Sequence, residues 1–172
     1  MKKLLLSLFF VLTSICAFSQ VKVSINYLDV DVMFKRCIMK GDIAYVDFIM
    51  TNNTGKDIKT TPSWGCRMDG VIKEFSAYDD EGNVYKCERY DKAVGKIQSF
   101  TIGGDTYSGS HLTGNDESTF IPSGIPIKCR VVLSKVDGYA TRFSLLRVTF
   151  KHFGQNSNSV LIEFKDIPFV RQ

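Results

Sequence analysis

A chain of 172 residues is long enough for one domain with a core of its own. Its 22 basic and 18 acidic side chains leave a formal charge of +4, too even for an electrostatic case for nucleic acid or an anionic membrane. Aromatic residues, at 12%, argue against disorder.

In chain order the first element is a targeting segment. Lys2 and Lys3 precede an apolar run from Leu4 to Ile15, and Ala17-Phe18-Ser19 offers the small–x–small pattern of a cleavage site. Residues 1–19 are therefore expected to be a signal peptide, with 20–172 the exported domain, periplasmic or extracellular. The apolar run is short for a membrane span, and nothing in 20–172 approaches that length. Cys16 is a rival lipid-attachment site, disfavoured because Ile15 stands where a small residue is wanted. Loss of Lys2 and Lys3 with this segment reduces the formal charge by two.

Beyond residue 20, period-two alternation recurs between turn signals. Val30, Val32, Phe34 and Ile38 share one face of a first long strand, opposite Asp31 and Lys35. Residues 43–51 alternate Ala44, Val46, Phe48 and Met50 with Tyr45 and Asp47, and Asn52-Asn53-Thr54-Gly55 ends that strand. Residues 71–79 and 84–89 make a hairpin about Asp80-Glu81-Gly82-Asn83. A short strand at 97–102 leads into a Gly-, Ser- and Thr-rich loop at 103–116. After the rigid turn Pro122-Ser123-Gly124-Ile125-Pro126, residues 127–135 send Ile127, Cys129, Val131 and Leu133 inward and Lys128 and Arg130 outward. Strands at 143–152 and 160–165 follow, joined by Gln155-Asn156-Ser157-Asn158.

Short strands at this spacing predict an all-β, antiparallel fold, and one-face alternation suits two sheets packed as a sandwich. A closed barrel is the alternative. Apart from Cys16 there are Cys37, Cys66, Cys87 and Cys129, and an even number in an exported chain permits two disulfides. Cys66 and Cys87 bracket the predicted hairpin and are the preferred pair. Cys37 and Cys129 remain as a second pair, although Cys129, on an apolar face, also reads as a small buried hydrophobe. No CxxC is present, which argues against a zinc site or a redox pair.

The stretch Phe48-Ile49-Met50-Thr51-Asn52-Asn53-Thr54-Gly55-Lys56-Asp57-Ile58 resembles the strand-then-turn of small exported bacterial immunoglobulin-like domains of unknown function. Asp79 or Asp80 with Gly82, Asn83 and Tyr85 is similar to a hairpin of that group, as is the turn Pro122, Gly124, Pro126. A signal ending in Ser-Gln is similar to those of Bacteroidota-type bacteria. The resemblance implies an immunoglobulin-like β-sandwich and an exported compartment, and it brings no catalytic residues.

Candidate chemistry is sparse. His111 and His152 sit in no nucleophile motif, and Tyr107-Ser108-Gly109-Ser110 lacks the setting of a nucleophile elbow. Asp79-Asp80-Glu81 with Asn83 lacks the spacing of a calcium loop and reads as a soluble turn. Lys35, Arg36 and Lys40 are interleaved with acids and read as a solvated face. Two binding candidates remain. Trp64, in Pro62-Ser63-Trp64-Gly65-Cys66, suits stacking on a sugar or anchoring a protein. Tyr107 and His111 in the long loop resemble a paratope. The expectation is a non-catalytic recognition module without cofactor or metal, binding a protein or glycan of the cell envelope through end loops. An exported hydrolase with a carboxylate site is the alternative, and a purely structural envelope protein a third.

Overall fold

The structure is a computed structural model that describes residues 20–63, 65–68, 71–87, 95–108, 118–153 and 158–172. These residues form strands and turns with no helix: β1 (Lys22–Ile25), β2 (Val30–Lys40), β3 (Ile43–Asn52), β4 (Ile58–Ser63), β5 (Gly65–Met68), β6 (Val71–Glu74), β7 (Ser76–Asp79), β8 (Val84–Cys87), β9 (Gly95–Ile102), β10 (Asp105–Ser108), β11 (Thr119–Ile121), β12 (Ile127–Ser134), β13 (Arg142–Phe153), β14 (Asn158–Pro168) and β15 (Val170–Arg171). The all-β expectation holds. The segments expected to be a signal peptide, and Trp64 and His111, lie outside the described residues.

Hydrogen bonding runs unbroken through one large sheet in the order β1-β14-β13-β7-β8-β9-β12-β3-β2-β15. β4 branches from the second half of β13 and carries β11, β10 extends β9, and β5–β6 form a separate two-stranded sheet. Strand pairing is antiparallel except for β8 with β9 and β15 with β2. The sheet curls back over itself. Phe48 on β3 and Phe164 on β14 are separated by five strands in the sheet, yet their rings lie 5.0 Å apart. Phe100 on β9 likewise meets Phe150 on β13 at 5.7 Å. The apolar concave face is thus closed by its own far half. Two independently bonded sheets were expected; instead the parallel β8–β9 pair, Tyr85–Cys87 against Gly95–Ile97, joins the two halves.

Several local differences have identifiable causes. The strand expected over 71–79 breaks at Phe75, which is buried at a bend. Ser76 Oγ donates to the Glu74 carbonyl there, and the chain leaves the β5–β6 sheet for the large one. The first part of the expected loop is a hairpin strand, β10, turned by Gly103 and Gly104 at φ +62° and +122°. Both positive φ values belong to a two-residue hairpin turn, which glycine adopts without strain.

β2 differs in a way that reaches the surface. Phe34 faces Phe48 and Arg36 faces Asp47, so Lys35 is the extra residue of a β-bulge. The bulge moves the alternation by one position. Cys37 and Met39, rather than Ile38, enter the core, and Lys35 and Arg36 are both left on the outer surface.

The same register removes the expected disulfides. Cys37 on β2 and Cys129 on β12 flank β3 on opposite sides, opposite Val46 and Phe48. Two strand spacings, about 9.6 Å, separate them; a disulfide needs Cα atoms within about 7 Å. Cys87, opposite Ile97 in the β8–β9 ladder, is also a free thiol, so the expected clamp with Cys66 is not made. Cys66 pairs by backbone with Lys73 in the separate β5–β6 sheet. Burial pushes the thiols of Cys37, Cys87 and Cys129 up to about 12. The charges of Asp47 near Cys37 and Glu74 near Cys87 add to the effect. Because the thiolate is the reactive form, these three sites should resist alkylation in the native protein and label fully in denaturant. Peptide mapping after a short pulse of iodoacetamide measures this, and rapid native labelling at any of the three would contradict their burial.

Candidate functional site

The outward side chains of β2, β3, β12 and β9 are brought into register as a row. Arg36 lies opposite Asp47, Asp47 opposite Arg130, and Arg130 opposite Thr101. Thr101 continues the row to Thr106 on β10 through a hydroxyl–hydroxyl contact of 3.0 Å. At its centre the Asp47 carboxylate accepts from Arg36 Nε at 2.8 Å, Arg130 Nε at 2.6 Å and Arg130 Nη2 at 2.9 Å. The Arg130 guanidinium also lies 5.6 Å from the centre of the Tyr45 ring, covering that aromatic face.

This row borders an open groove of about 940 Å³. Lys35 and Arg36 line it from the bulge, and Lys128 and Arg130 from β12. Its apolar lining includes Ile49, Pro126 and Ile127, and Gly103 and Gly104 also line it. The size is that of a site for a small molecule or a few residues of a polymer. Among the described residues four cations and one carboxylate meet there, in a chain whose total charge is only +4. Lys35 and Lys128 make no ion pair among the described residues.

Partial burial opposes ionisation of Asp47, but hydrogen bonds from Arg130 and Arg36, reinforced by their charges, hold its carboxyl below the ordinary value. Asp80 is lowered too. Burial again opposes this, and the hydroxyl and backbone NH of Thr141, at 2.5 and 2.9 Å, outweigh it with help from the Arg142 NH. For carboxyls lowered in the folded state, the stabilisation is complete above the unfolded pKa near 4 and lost as pH falls through the folded values. Melting temperature should therefore be insensitive to these groups at neutral pH and fall below about pH 4. Asp80→Asn should flatten that fall, as measured by thermal melts across pH; an unchanged acid limb would remove Asp80 from the account.

Other expected site residues have other roles. Tyr107 is only 4% exposed, packed into the core from β10, so its ring is not presented to a partner. Asp79 was expected in a turn, and it organises one. Its carboxylate accepts from the NH groups of Glu81 and Asn83, from Asn83 Nδ2 and, at 2.6 Å, from the Tyr85 hydroxyl. Among the described residues no three His, Cys, Asp or Glu are grouped as metal ligands would be. Gly103 and Gly104, at the start of the segment expected to be the long loop, line the groove.

Asp47, Lys128 and Arg130 were legible as outward residues, but nothing in the linear order says that they converge. Their signal is a carboxylate and cations at the same outward phase of different strands, visible only once register is known.

Fold and site together define an all-β protein with a basic groove on the outer face of a curled sheet. No protein-family model, no curated protein and no solved structure matches the chain.

Proposed function

We propose that the protein is an exported, non-catalytic recognition module that holds a protein or glycan of the cell envelope. The contact surface is the groove bordered by β2, β3, β12 and the β9–β10 turn, in place of the end-loop aromatics. The observation that carries this is the concentration of Lys35, Arg36, Lys128 and Arg130 around one groove, two of them fixed by Asp47. A fixed cation is prepaid order, which favours binding. Asp47 is a poor proton carrier near neutral pH because it is held ionised between two guanidiniums. A glycosidase would need a second carboxylate facing it, and among the described residues Asp47 is the one acidic side chain in the groove lining.

The fold is read as an immunoglobulin-like sandwich, one layer β1-β14-β13-β7 and the other β9-β12-β3-β2, bridged along β8–β9. The facing Phe48–Phe164 and Phe100–Phe150 contacts support that layering. Export is supported by the segment 1–19 and by the resemblance to exported bacterial domains.

The test compares the protein with a Lys128→Glu, Arg130→Glu variant in capture from an envelope extract. Specific capture by the folded parent, lost in the folded variant, supports the binding role. Equal capture, or none, refutes this surface. N-terminal sequencing of protein from the producing cell tests export, for which a mature chain beginning at Gln20 is the expected result.

A further inference from the structure

Resting on that binding role, we infer that the groove takes an extended acidic peptide segment in which carboxylate and apolar side chains alternate. The lining carries both halves of this chemistry. Lys35 and Lys128 have no ionic partner among the described residues, and Arg36 spends only its Nε on Asp47. Its terminal guanidinium nitrogens are left to meet an incoming carboxylate. Asp47 orients Arg36 and Arg130 before a ligand arrives, so less side-chain freedom is lost on binding.

Beside this charged row the surface is apolar. Ile49 and Ile127 line the groove, and Ile125, 55% exposed, precedes Pro126 of the lining in the chain. Met33, 54% exposed, stands opposite Ile49 on the neighbouring strand. A surface that sets cations beside hydrocarbon is complementary to an extended chain that carries carboxylates and hydrocarbon on neighbouring residues. A bare anion would leave the apolar part wet.

The same residues disfavour an acidic glycan. Sugar rings are held best by a free aromatic face, and Tyr45, the outward aromatic of β3, has its ring under Arg130. The bulge is the structural source of the selectivity. By placing Lys35 and Arg36 consecutively on the outer surface, it sets two cations on one side of β3 against Lys128 and Arg130 on the other.

The experiment is a chemical-shift titration of the isotopically labelled protein with four probes: an acetylated Glu-Leu-Glu-Leu-Glu peptide, its Lys-Leu counterpart, polygalacturonate and inorganic phosphate. The Glu–Leu peptide should shift the amides of β2, β3 and β12, with affinity falling as salt rises, and the Lys–Leu peptide should not. Lys128→Gln, which leaves the Arg–Asp cluster intact, and Arg36→Gln should each weaken binding about tenfold. Unchanged dispersion elsewhere in the spectrum shows that both variants fold. Equal or tighter binding of phosphate or polygalacturonate overturns the peptide in favour of a simple anion or an acidic glycan, and leaves the binding role standing. Peptide binding that ignores both variants overturns the placement. If no probe binds, envelope capture decides: capture still lost in the groove variant overturns only the ligand class, whereas unaltered capture overturns the binding role as well.

Discussion

Replacing Phe100 by alanine should lower stability by about 4 kcal/mol, the upper part of the range for deleting a buried aromatic ring. The ring is fully buried and stands where three parts of the core meet. It lies 6.2 Å from Phe48 on β3 in a stacked arrangement, and its contacts with Phe75 at 5.9 Å and Phe150 at 5.7 Å are edge-on. Alanine would remove the transfer contribution of the ring and leave a cavity walled by side chains from both halves of the curled sheet. Those halves are held apart by their own backbone ladders, so the cavity cannot close by collapse. Urea denaturation measures the loss. The control is Phe120→Ala, because that ring is 66% exposed on β11 and its removal should change stability by no more than about 0.5 kcal/mol. Similar losses at the two sites would mean that the core is not organised around Phe100.

The second large effect is expected from the smallest possible enlargement. Gly95→Ala should cost about 3 kcal/mol by overpacking. An added Cβ would lie 2.1 and 2.3 Å from two atoms of the Tyr85 ring and 2.9 Å from the Ser134 carbonyl oxygen. Neither neighbour can yield easily. The Tyr85 hydroxyl donates to Asp79 at 2.6 Å and accepts from the Asp137 NH at 3.2 Å, and the ring meets Phe143 edge-on at 5.6 Å. Ser134 belongs to β12, paired with β9. Tyr85→Ala on its own is also costly, but added to Gly95→Ala it relieves the clash. The double variant should then lose clearly less than the sum of the two single losses, by a coupling of about 1–3 kcal/mol. Strict additivity would place the strain elsewhere.

Much of the strand content was legible because one-face burial writes itself into the chain as alternation. Residues 43–51 and 127–135 are good examples: Ala44, Val46, Phe48 and Met50 are buried, as are Cys129, Val131 and Leu133. The hairpin at Asp80-Glu81-Gly82-Asn83 was legible through its turn chemistry. Illegible features depend on which strand lies beside which. The bulge at Lys35 looks like ordinary alternation until Phe34 and Arg36 are seen facing consecutive residues of β3. β4 and β11 were missed because Lys59, Pro62 and Phe120 do not alternate cleanly, and their pairing with each other and with β13 is tertiary. The disulfide expectation failed for a related reason. Even cysteine number and compartment permit a bridge, but only register says that β3 stands between Cys37 and Cys129.

The groove was hidden in the same manner. Lys35, Arg36 and Lys40 look like a solvated run in linear order, and Lys128 and Arg130 like the wet side of another strand. Cross-strand register turns four of these five cations into the border of one concavity. Tyr107 shows the converse, an aromatic among Gly and Ser that reads as a contact residue until β10 folds onto β9 and takes the ring inward.

The pairing of the earliest strand with one of the last has a kinetic consequence. β1 finds its register only on β14, Lys22 against Lys165, and the outer edge of β2 is covered at Ile38 and Met39 only by β15. A growing chain can pair β2 with β3 as soon as both have emerged, but β1 and the outer edge of β2 wait for their ladders until β14 and β15 are made. Closing so wide a loop postpones the rewarding contacts and places folding among the slow, milliseconds-to-seconds β topologies. In a chain of this pattern the local hairpins are available early, and the ladders that cover β1 and the outer edge of β2 are expected to close last.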